Sequence, residues 1–549
     1  MAVLPFESLS DEHRDAYFAD GMQDEILRDL VKIADLKVIS RTSVAKYRSI
    51  GNLDLKQIAS DLHVRYILEG SVQRANDRIR VQAQLIDAAT DAHVWADHYD
   101  RQLADVFAIQ SEIAEKIVSQ LQAQITPEEK AAIEIRPTQD IPAYESYVKA
   151  NAIIDRVIYG SNRIEDLWEA EQLLEQATAR DPKFFLAFCR LAYVHDQLYF
   201  NSLDHTPSRL ALAKAALETA RHLQPDAGEV HLAAAAHYYF GYLDYNHARQ
   251  ELVAARKKLP NDPYPILLLG YIDRRQGRWD ESTRKLEHAL DLDPGNLLFL
   301  KQLALSYTNL RRYADVETIL DRAIALAPND PNFRIQQASV ELDWHADTKP
   351  LHAAIDQILA RDPGQASVIA DQWIYLALCE KDINAAGKAL DVMTENGCQD
   401  GGLPYPRSWC EGLVARERKD TSAAQSAFSE ARLRVDRLVQ AQPDFAAGVS
   451  VLGMIDAALG NKENAIAEGR KAVALLPTSK DAITGPLLLQ NLAIIYAWTG
   501  EKEAAFDVLK QLVAMPSYLS YGQLKLHPYW EPLRDSREFG EVAAALASN

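Results

Sequence analysis

The sequence predicts a small α/β domain followed by an all-α solenoid, a superhelix built from paired helices. The first 125 residues alternate between strand-like and helix-like patterns, whereas almost everything after residue 143 has helical periodicity. Prolines and small residues in the second region recur every 34 residues, an interval typical of a helical repeat. We therefore expect four segments: an α/β domain over 1–125, a linker helix over 126–142, a repeat array over 143–523 and a C-terminal cap over 524–549.

The α/β domain is predicted from changes in the period of its apolar residues. Apolar residues at helical spacing indicate helices, and strict alternation indicates strands. The predicted strands are 2–6, 36–40, 66–72, 78–86 and 92–99, and the predicted helices are 23–33, 55–62 and 103–125. A short helix-spanning connection joins the first two strands, so we expect them to be parallel, and we expect the last three to form an antiparallel meander.

A new helix is predicted to begin at Thr126. Thr126 suits the N-cap, Pro127 suits the first helical position, and Glu129 completes a capping box. Pro137 and Pro142 then bracket a short linker. The helix and this linker lead into the repeats.

The repeat array is predicted from the spacing of its prolines. Pro260, Pro294 and Pro328 are 34 residues apart, and Pro443 and Pro477 repeat that interval. Small residues let the two helices of a pair approach closely, and the proline ends the second helix. This is the tetratricopeptide pattern, and we expect about nine to ten helix pairs.

The composition argues against nucleic acid and membrane as partners. Lys and Arg total 59 against 78 Asp and Glu, a net charge of −19, and such a surface repels phosphates and anionic lipid. No run approaches the roughly 18 apolar residues of a membrane span. An apolar strand begins at Met1 without any lead-in, so we expect this chain to be an excised piece of a longer one.

The four cysteines do not form a disulfide scaffold or a zinc site. They are Cys189, Cys379, Cys398 and Cys410, with no CxxC pair and no histidine at zinc spacing. We expect them to be buried apolar residues. A Cys398–Cys410 bridge is left open if the compartment is oxidising.

Motifs of known catalytic sites are absent from the sequence. It contains no GxGxxG, Walker P-loop, GxSxG, HExxH or EF-hand loop. We therefore expect no enzyme activity, cofactor or metal in this chain, and a free-standing enzyme is the least favoured interpretation.

The concave groove of the repeat array is the first candidate binding surface. Tetratricopeptide geometry directs fixed positions of the first helix in each unit into this groove, and these carry His237, Tyr271, Arg274, Arg275, Lys301 and Asn309. Cationic and amide donors beside an aromatic ring suit carboxylates, so we predict a protein partner or acidic peptide here. The alternative is that the arginines form ion pairs with Glu281 or Asp273.

The second candidate is a ligand mouth on the α/β domain. If the strands over 2–6 and 36–40 are parallel, their C-terminal ends bring together Asp20, Gly21, Arg41, Thr42 and Ser43. Open α/β sheets bind ligands at such edges. The alternative is that Gly21 and Thr42 serve only as turn and capping residues.

Several strings in the first region resemble one known family. They are AVLPFESLS (2–10), YFADGMQDEI (17–26), VISRTSV (38–44), VRYILEGSVQ (64–73) and IRVQAQLIDAATDAHVWADHYDR (79–101). They resemble the TolB amino-terminal-like domain over about 125 residues, and HPYWEPLRDSREF (527–539) resembles the closing segment of its multidomain members. The resemblance implies tetratricopeptide repeats after this domain. It also implies an upstream effector, namely a class III adenylate or guanylate cyclase, a protein kinase, or a winged-helix regulator joined by one membrane span.

Two functions follow as hypotheses. The first is a non-enzymatic protein-interaction scaffold that binds its partner through the concave groove. The alternative is a sensory or regulatory region of a larger bacterial signalling protein, whose effector lies upstream. With an upstream membrane span the chain would be extracytoplasmic (periplasmic), and without one it would be cytoplasmic; the sequence does not specify the oligomeric state.

Overall fold

The computed structural model describes residues 1–9, 13–49, 54–75, 77–159, 164–394, 397, 399–400 and 403–547. It has a small N-terminal sheet with packed helices, followed by a long array of helices. The predicted fold class, a small α/β region plus an α–α solenoid, is confirmed.

The N-terminal sheet combines two short parallel strands with an antiparallel meander. Its strands are β1 (Ala2–Val3), β2 (Glu7–Ser8), β3 (Tyr66–Ala75), β4 (Arg78–Asp87) and β5 (Ala92–Gln102). The order is β1-β3-β4-β5, and β2 also pairs with β3. β1 and β2 are parallel to β3, while β3, β4 and β5 run antiparallel in succession. The predicted meander is therefore confirmed.

The predicted strand over 36–40 is wrong. This segment is irregular, and β1 pairs instead with β3 through Ala2 and Ile67. The Ile39 amide donates to the Met1 carbonyl at 2.9 Å, and the Met1 amino group donates to the Lys37 carbonyl, so the segment lies beside β1. The expected ligand mouth between two parallel strand ends therefore lacks its second strand.

Helices cover the sheet through their apolar stripes. They are α1 (His13–Leu30), α2 (Arg41–Val44), α3 (Leu55–Asp61) and α4 (Val106–Gln120). On α4, Val106, Ile109, Ile113 and Ile117 are completely buried. Their spacing of three and four residues places them on one face, as the sequence predicts.

The linker helix α5 (Pro127–Ile133) begins with the predicted capping box. The Thr126 hydroxyl accepts a hydrogen bond from the Glu129 amide at 3.2 Å, and the Glu129 carboxylate accepts one from the Thr126 amide at 2.8 Å. Two amides at the start of the helix are thereby satisfied.

The remaining helices succeed one another to the C-terminal end. They are α6 (Ile141–Tyr159), α7 (Leu167–Arg180), α8 (Phe185–Phe200), α9 (Pro207–Leu223), α10 (Gly228–Ala236), α11 (Tyr245–Lys258), α12 (Tyr264–Arg275), α13 (Trp279–Leu292), α14 (Leu297–Asn309), α15 (Tyr313–Leu326), α16 (Pro331–His345), α17 (Lys349–Arg361), α18 (Ala370–Glu380), α19 (Ile383–Val392), α20 (Arg407–Glu417), α21 (Thr421–Ala441), α22 (Ala446–Leu459), α23 (Lys462–Leu475), α24 (Thr484–Trp498), α25 (Lys502–Val513), α26 (Tyr521–Leu526) and α27 (Arg537–Ala547). A two-stranded ribbon, β6 (Gln399–Asp400) with β7 (Leu403–Pro404), precedes α20. Neighbouring helices pack in pairs, for example α6 with α7 and α22 with α23.

The 34-residue interval sets the helix ends. α11, α13 and α15 are each 14 residues long, and each ends two residues before its proline, at Lys258, Leu292 and Leu326. α23 ends at Leu475, two residues before Pro477. Since the residue preceding a proline disfavours helical geometry, the repeated proline repeats the helix end.

The chain divides into two compact units. Unit 1 contains Met1–Ile272 and Arg284–Phe299, and unit 2 contains Asp273–Thr283 and Leu300–Asn549. The first helix pairs thus belong to the same unit as the α/β region. Of the cysteines, Cys189 and Cys379 are free and buried, Cys410 is buried and disulfide-bonded, and Cys398 lies outside the described residues.

Candidate ligand cavity

Unit 1 contains a cavity of about 320 Å³ between the α/β region and the first helix pairs. Its walls come from α1, the segment over 38–42, α6, α8, α10, the approach to α12 and the start of α14. The charged residues that line it are Asp24, Glu25, Arg28, Arg41, Asp155, Arg190, Glu229 and Asp262. The polar and aromatic residues include Thr42, Tyr147, Asn151, Tyr193, Tyr264 and Asn296. Small-molecule sites occupy about 300–1,000 Å³, so this cavity has the size of a compact ligand.

Two residues of the predicted mouth lie in the cavity wall. Arg41 Nη1 donates to Asp155 Oδ2 at 2.8 Å, and its Nε lies 3.0 Å from Asp24 Oδ1. The Thr42 hydroxyl accepts a hydrogen bond from Asn296 Nδ2 at 3.0 Å. These contacts join the α/β region to the helical array.

The other three mouth residues have structural contacts outside the wall. Ser43 donates to Asp293, and Asp20 pairs with Arg48 at 2.5 Å. Gly21 lies against α6: its carbonyl accepts a hydrogen bond from the Tyr144 hydroxyl at 2.9 Å, and a Cβ at this position would lie 2.9 Å from that oxygen. Asp20 also lies 3.6 Å from Arg41 in the cavity wall, and ligand binding by these three residues stays a prediction.

Burial changes the acidity of the carboxylates around the cavity. Removal from water raises the pKa of Asp24 and of Glu25 to about 7, and raises the pKa of Asp262 to about 6. Arg41 opposes the shift at Asp24, and Arg28 opposes it at Glu25, because a nearby cation favours the ionised form. Near neutral pH these groups can therefore exchange protons with a ligand.

Four buried polar atoms of the residues that line the cavity lack a hydrogen bond. They are the acceptors Asn151 Oδ1, Glu229 Oε1 and Glu25 Oε2 and the donor Arg28 Nε, and Glu25 forms an ion pair with Arg28. Asn151 is only 6% exposed, and Glu229 Oε1 lies 3.9 Å from Lys32 Nζ. A buried acceptor without a donor costs about 1–3 kcal/mol, so Asn151 Oδ1 and Glu229 Oε1 favour a ligand that supplies N–H or O–H groups.

Apart from Arg41 and Thr42, the cavity residues are not predicted from the sequence, because the lining is distributed over seven helices. The groove positions assigned from the repeat begin with the unit at residue 229, whereas Asn151 and Asp155 belong to α6 and Arg190 to α8. α6 belongs to a degenerate repeat. If the same groove positions are counted in the two helix pairs that precede residue 229, they reach α6 and α8.

The predicted groove arginines have intramolecular partners in unit 2. Arg275, 8% exposed, forms an ion pair with Asp481, and the Ala482 amide donates to the Arg275 carbonyl at 2.8 Å. Arg274 Nη1 donates to the Gln302 carbonyl and to the Ser306 hydroxyl, both at 3.0 Å. The carboxylate that Arg275 binds thus belongs to this chain.

Of the remaining groove residues, only Lys301 is exposed. Asn309 is fully buried, and its backbone carbonyl accepts a hydrogen bond from the Ser517 amide at 3.0 Å. In unit 1, His237 is 3% exposed with its Nδ1 2.8 Å from Asp196 Oδ1, and Tyr271 is also buried. The buried residues of this set are enclosed by their own chain. Their binding of a partner stays a prediction.

Within the described ranges, no group of three or more His, Cys, Asp or Glu side chains is arranged to hold a metal ion. No helix in those ranges is both long and apolar enough to cross a bilayer.

Two segments of the chain match known families. Residues 1–119 match the second domain of HilA/YgeH-like transcriptional regulators, and residues 273–338 match the tetratricopeptide repeat. Both are non-catalytic domains. The prediction of tetratricopeptide repeats is therefore confirmed over residues 273–338, and the N-terminal match is to a HilA-like domain rather than specifically to a TolB-like one.

A curated relative has a related sequence over part of its length. The chain is 36% identical over 224 residues to "Putative adenylate cyclase 3" of Rhizobium meliloti (strain 1021), an alignment that covers 40% of this chain and 37% of the relative. The chain thus matches little more than a third of that protein.

Solved structures with similar helical arrays are distant. A human IFIT1 dimer with PPP-AAAA has a TM-score of 0.36 at 15% identity, covering 68% of this chain and 79% of that one. Pseudomonas aeruginosa pilF has a TM-score of 0.24 at 17% identity, covering 46% of this chain and 94% of that one.

Proposed function

We propose that this chain is a non-catalytic regulatory region of a larger signalling protein and that its helical repeats bind a protein partner. The observation that carries the proposal is the succession, in one chain, of a regulator-type α/β domain and a tetratricopeptide array. Helical repeats build long surfaces for partners without a catalytic cleft. The identity with part of a putative cyclase supports the same interpretation.

The TolB-like resemblance of the first 125 residues refines the proposal. In that family the α/β domain and the repeats accompany a cyclase, kinase or winged-helix effector. This chain would then transmit a binding event to such an effector. Its compartment depends on whether a membrane span separates the two.

Lys301 is the residue through which we propose that the groove attracts a partner. It is exposed on α14, whereas Arg275 already holds Asp481. An ammonium group attracts acidic side chains at the rim of an interface, and salt screens this attraction. An acidic peptide is therefore the partner chemistry that we propose.

A peptide array tests the partner chemistry. Acidic peptides, and matched peptides with Asn and Gln in place of Asp and Glu, would be titrated into the purified chain. We expect binding of acidic peptides only, weakened several-fold by Lys301→Glu and by 0.5 M salt. Lys257→Glu, an exposed position on α11, is the matched control and should leave the affinity unchanged; equal effects of the two variants would rule out the Lys301 surface.

A separate assay tests the non-catalytic part. The purified chain would be incubated with ATP or GTP and Mg²⁺ or Mn²⁺. We expect no cyclic nucleotide above the level of a protein-free control. Formation of cyclic AMP or cyclic GMP in proportion to the protein added would show that the chain is itself an enzyme.

A further inference from the structure

We propose that the unit 1 cavity binds a small organic cation, a molecule with an ammonium group and a short apolar body. Four features of the cavity support this ligand class, namely the unpaired acceptors, the balance of charge, the aromatic wall and the size.

Asn151 and Glu229 each present an acceptor that needs a donor, whereas the buried Arg28 Nε lacks an acceptor. Asn151 Oδ1 is buried, lines the cavity and accepts no hydrogen bond. Glu229 Oε1 is also buried without a hydrogen bond. An ammonium group carries up to three N–H donors and no acceptor, so it is the kind of group that supplies the donors these two atoms lack.

The charges favour a cation over an anion. The wall contains five carboxylates and three guanidinium groups. Arg41 is held by Asp24 and Asp155, and Arg28 pairs with Glu25. Because the carboxylates outnumber the guanidinium groups, a buried anion would face excess carboxylate, whereas a cation would gain charge-assisted hydrogen bonds.

The remaining wall suits an organic body rather than a metal ion. The rings of Tyr147, Tyr193 and Tyr264 line the cavity beside Leu27 and Leu186. Aromatic faces attract organic ammonium groups, by about 0.5–2 kcal/mol. The volume of about 320 Å³ admits a small molecule but not a peptide helix, whose diameter with side chains is about 10–12 Å.

Binding of a cation should release protons. Because burial raises the pKa of Asp24 and Glu25 to about 7, both are partly protonated at neutral pH, and a bound ammonium favours their ionised forms. The charged groups that act on Asp24 are Arg41, Asp155, Asp20 and Arg190, and those that act on Glu25 are Arg28, Asp29, Lys32 and Asp24. Affinity should therefore rise between pH 6 and pH 8.

Calorimetric titration of the whole chain tests the ligand class. The probes are putrescine and phenethylamine, with butane-1,4-diol and succinate as neutral and anionic counterparts of putrescine. We expect binding of at least one amine, with proton release measured as a difference between two buffers of unlike ionisation enthalpy. Binding of succinate in preference to both amines, or binding of none of the probes, would overturn the proposal.

Two variants locate the site. Glu229→Gln removes one charge with little change of shape and should weaken amine binding at least tenfold. Glu218→Gln, on α9 and paired only on the surface with Lys214, is the matched control and should bind as the wild type does. Asn151→Leu is the second cavity variant and should also weaken amine binding. Melting curves check that each variant is folded. Full affinity in both Glu229→Gln and Asn151→Leu would place any amine outside this cavity.

Discussion

Arg41 and Asp155 are 114 residues apart in the sequence, and a hydrogen bond of 2.8 Å joins their side chains. Arg41 lies on α2 in the α/β region, and Asp155 lies on α6, the first helix of the array. The same guanidinium is 3.0 Å from Asp24 and 3.6 Å from Asp20 on α1. One cation thus holds three carboxylates within unit 1.

Replacement of Arg41 should loosen this junction. Arg41→Gln leaves three neighbouring carboxylates without their shared cation, and the loss of hydrogen bonds to a charged group costs about 2 kcal/mol. We expect faster amide hydrogen exchange in α1 and α6, since local opening becomes easier. Arg256→Gln, at an exposed position on α11, is the control; unchanged protection of α6 in Arg41→Gln would mean that the junction does not depend on this residue.

A double-mutant cycle on Arg275 and Asp481 tests whether this ion pair stabilises unit 2. Asp481 is only 1% exposed, so Arg275→Gln leaves a buried carboxylate unpaired, which costs about 3 kcal/mol. Asp481→Asn keeps an oxygen that can accept from the amides of Ile483 and Thr484. We expect the double variant to lose less stability in urea than the two single variants together, whereas strict additivity would show that the two side chains are not coupled.

The sequence predicts the helical array because each repeat carries its own signal. Pro260, Pro294 and Pro328 mark helix ends locally, and α11, α13 and α15 end where they indicate. The strand over 36–40 was mispredicted because an apolar segment has no strand unless a partner pairs with it, and β1 pairs with β3 instead. Partner choice is a long-range property that local pattern does not specify.

The predicted site residues also show that a local pattern does not specify long-range partners. The repeat spacing selects Arg275 as a groove residue, but it cannot indicate that Asp481, 206 residues later, supplies the carboxylate. Asn151 and Glu229 are ordinary helix residues in the sequence. Only the packing of α1 against several helices makes them neighbours of one cavity.

Two glycines in unit 2 should respond to alanine with opposite signs. A Cβ on Gly412 in α20 would overlap the ring of Phe428 in α21, which is buried, and such overpacking costs about 2 kcal/mol. Gly540 in α27 has no atom within 4 Å of a Cβ, so Gly540→Ala should stabilise the helix by about 0.5 kcal/mol. Urea unfolding of the two variants measures both effects, and a loss of stability in Gly540→Ala would contradict this account.

His527 should contribute to the free energy of unfolding of unit 2, and this contribution should be lost in acid. His527 is 3% exposed, its ring stacks on Tyr375 with centroids 4.9 Å apart, and its Nδ1 accepts a hydrogen bond from the Tyr529 amide at 3.4 Å. Burial, together with Arg416 and Arg534, lowers its pKa to about 3. The unfolded chain binds a proton near pH 6.5, a typical value for histidine.

The sign follows from the difference in bound protons. Between about pH 6.5 and pH 3 the unfolded state holds a proton on His527 that the folded state does not, so this contribution is complete above that window and is lost as the pH falls through it. In His527→Asn an oxygen can replace Nδ1 as the acceptor, so the difference in unfolding free energy between wild type and variant should shrink from pH 7 to pH 4.5.

His352→Asn gives the opposite comparison: a hydrogen bond to Glu380 raises the pKa of His352, so its contribution is present at low pH and is lost as the pH rises. Parallel pH profiles for the two variants would show that burial does not hold His527 neutral.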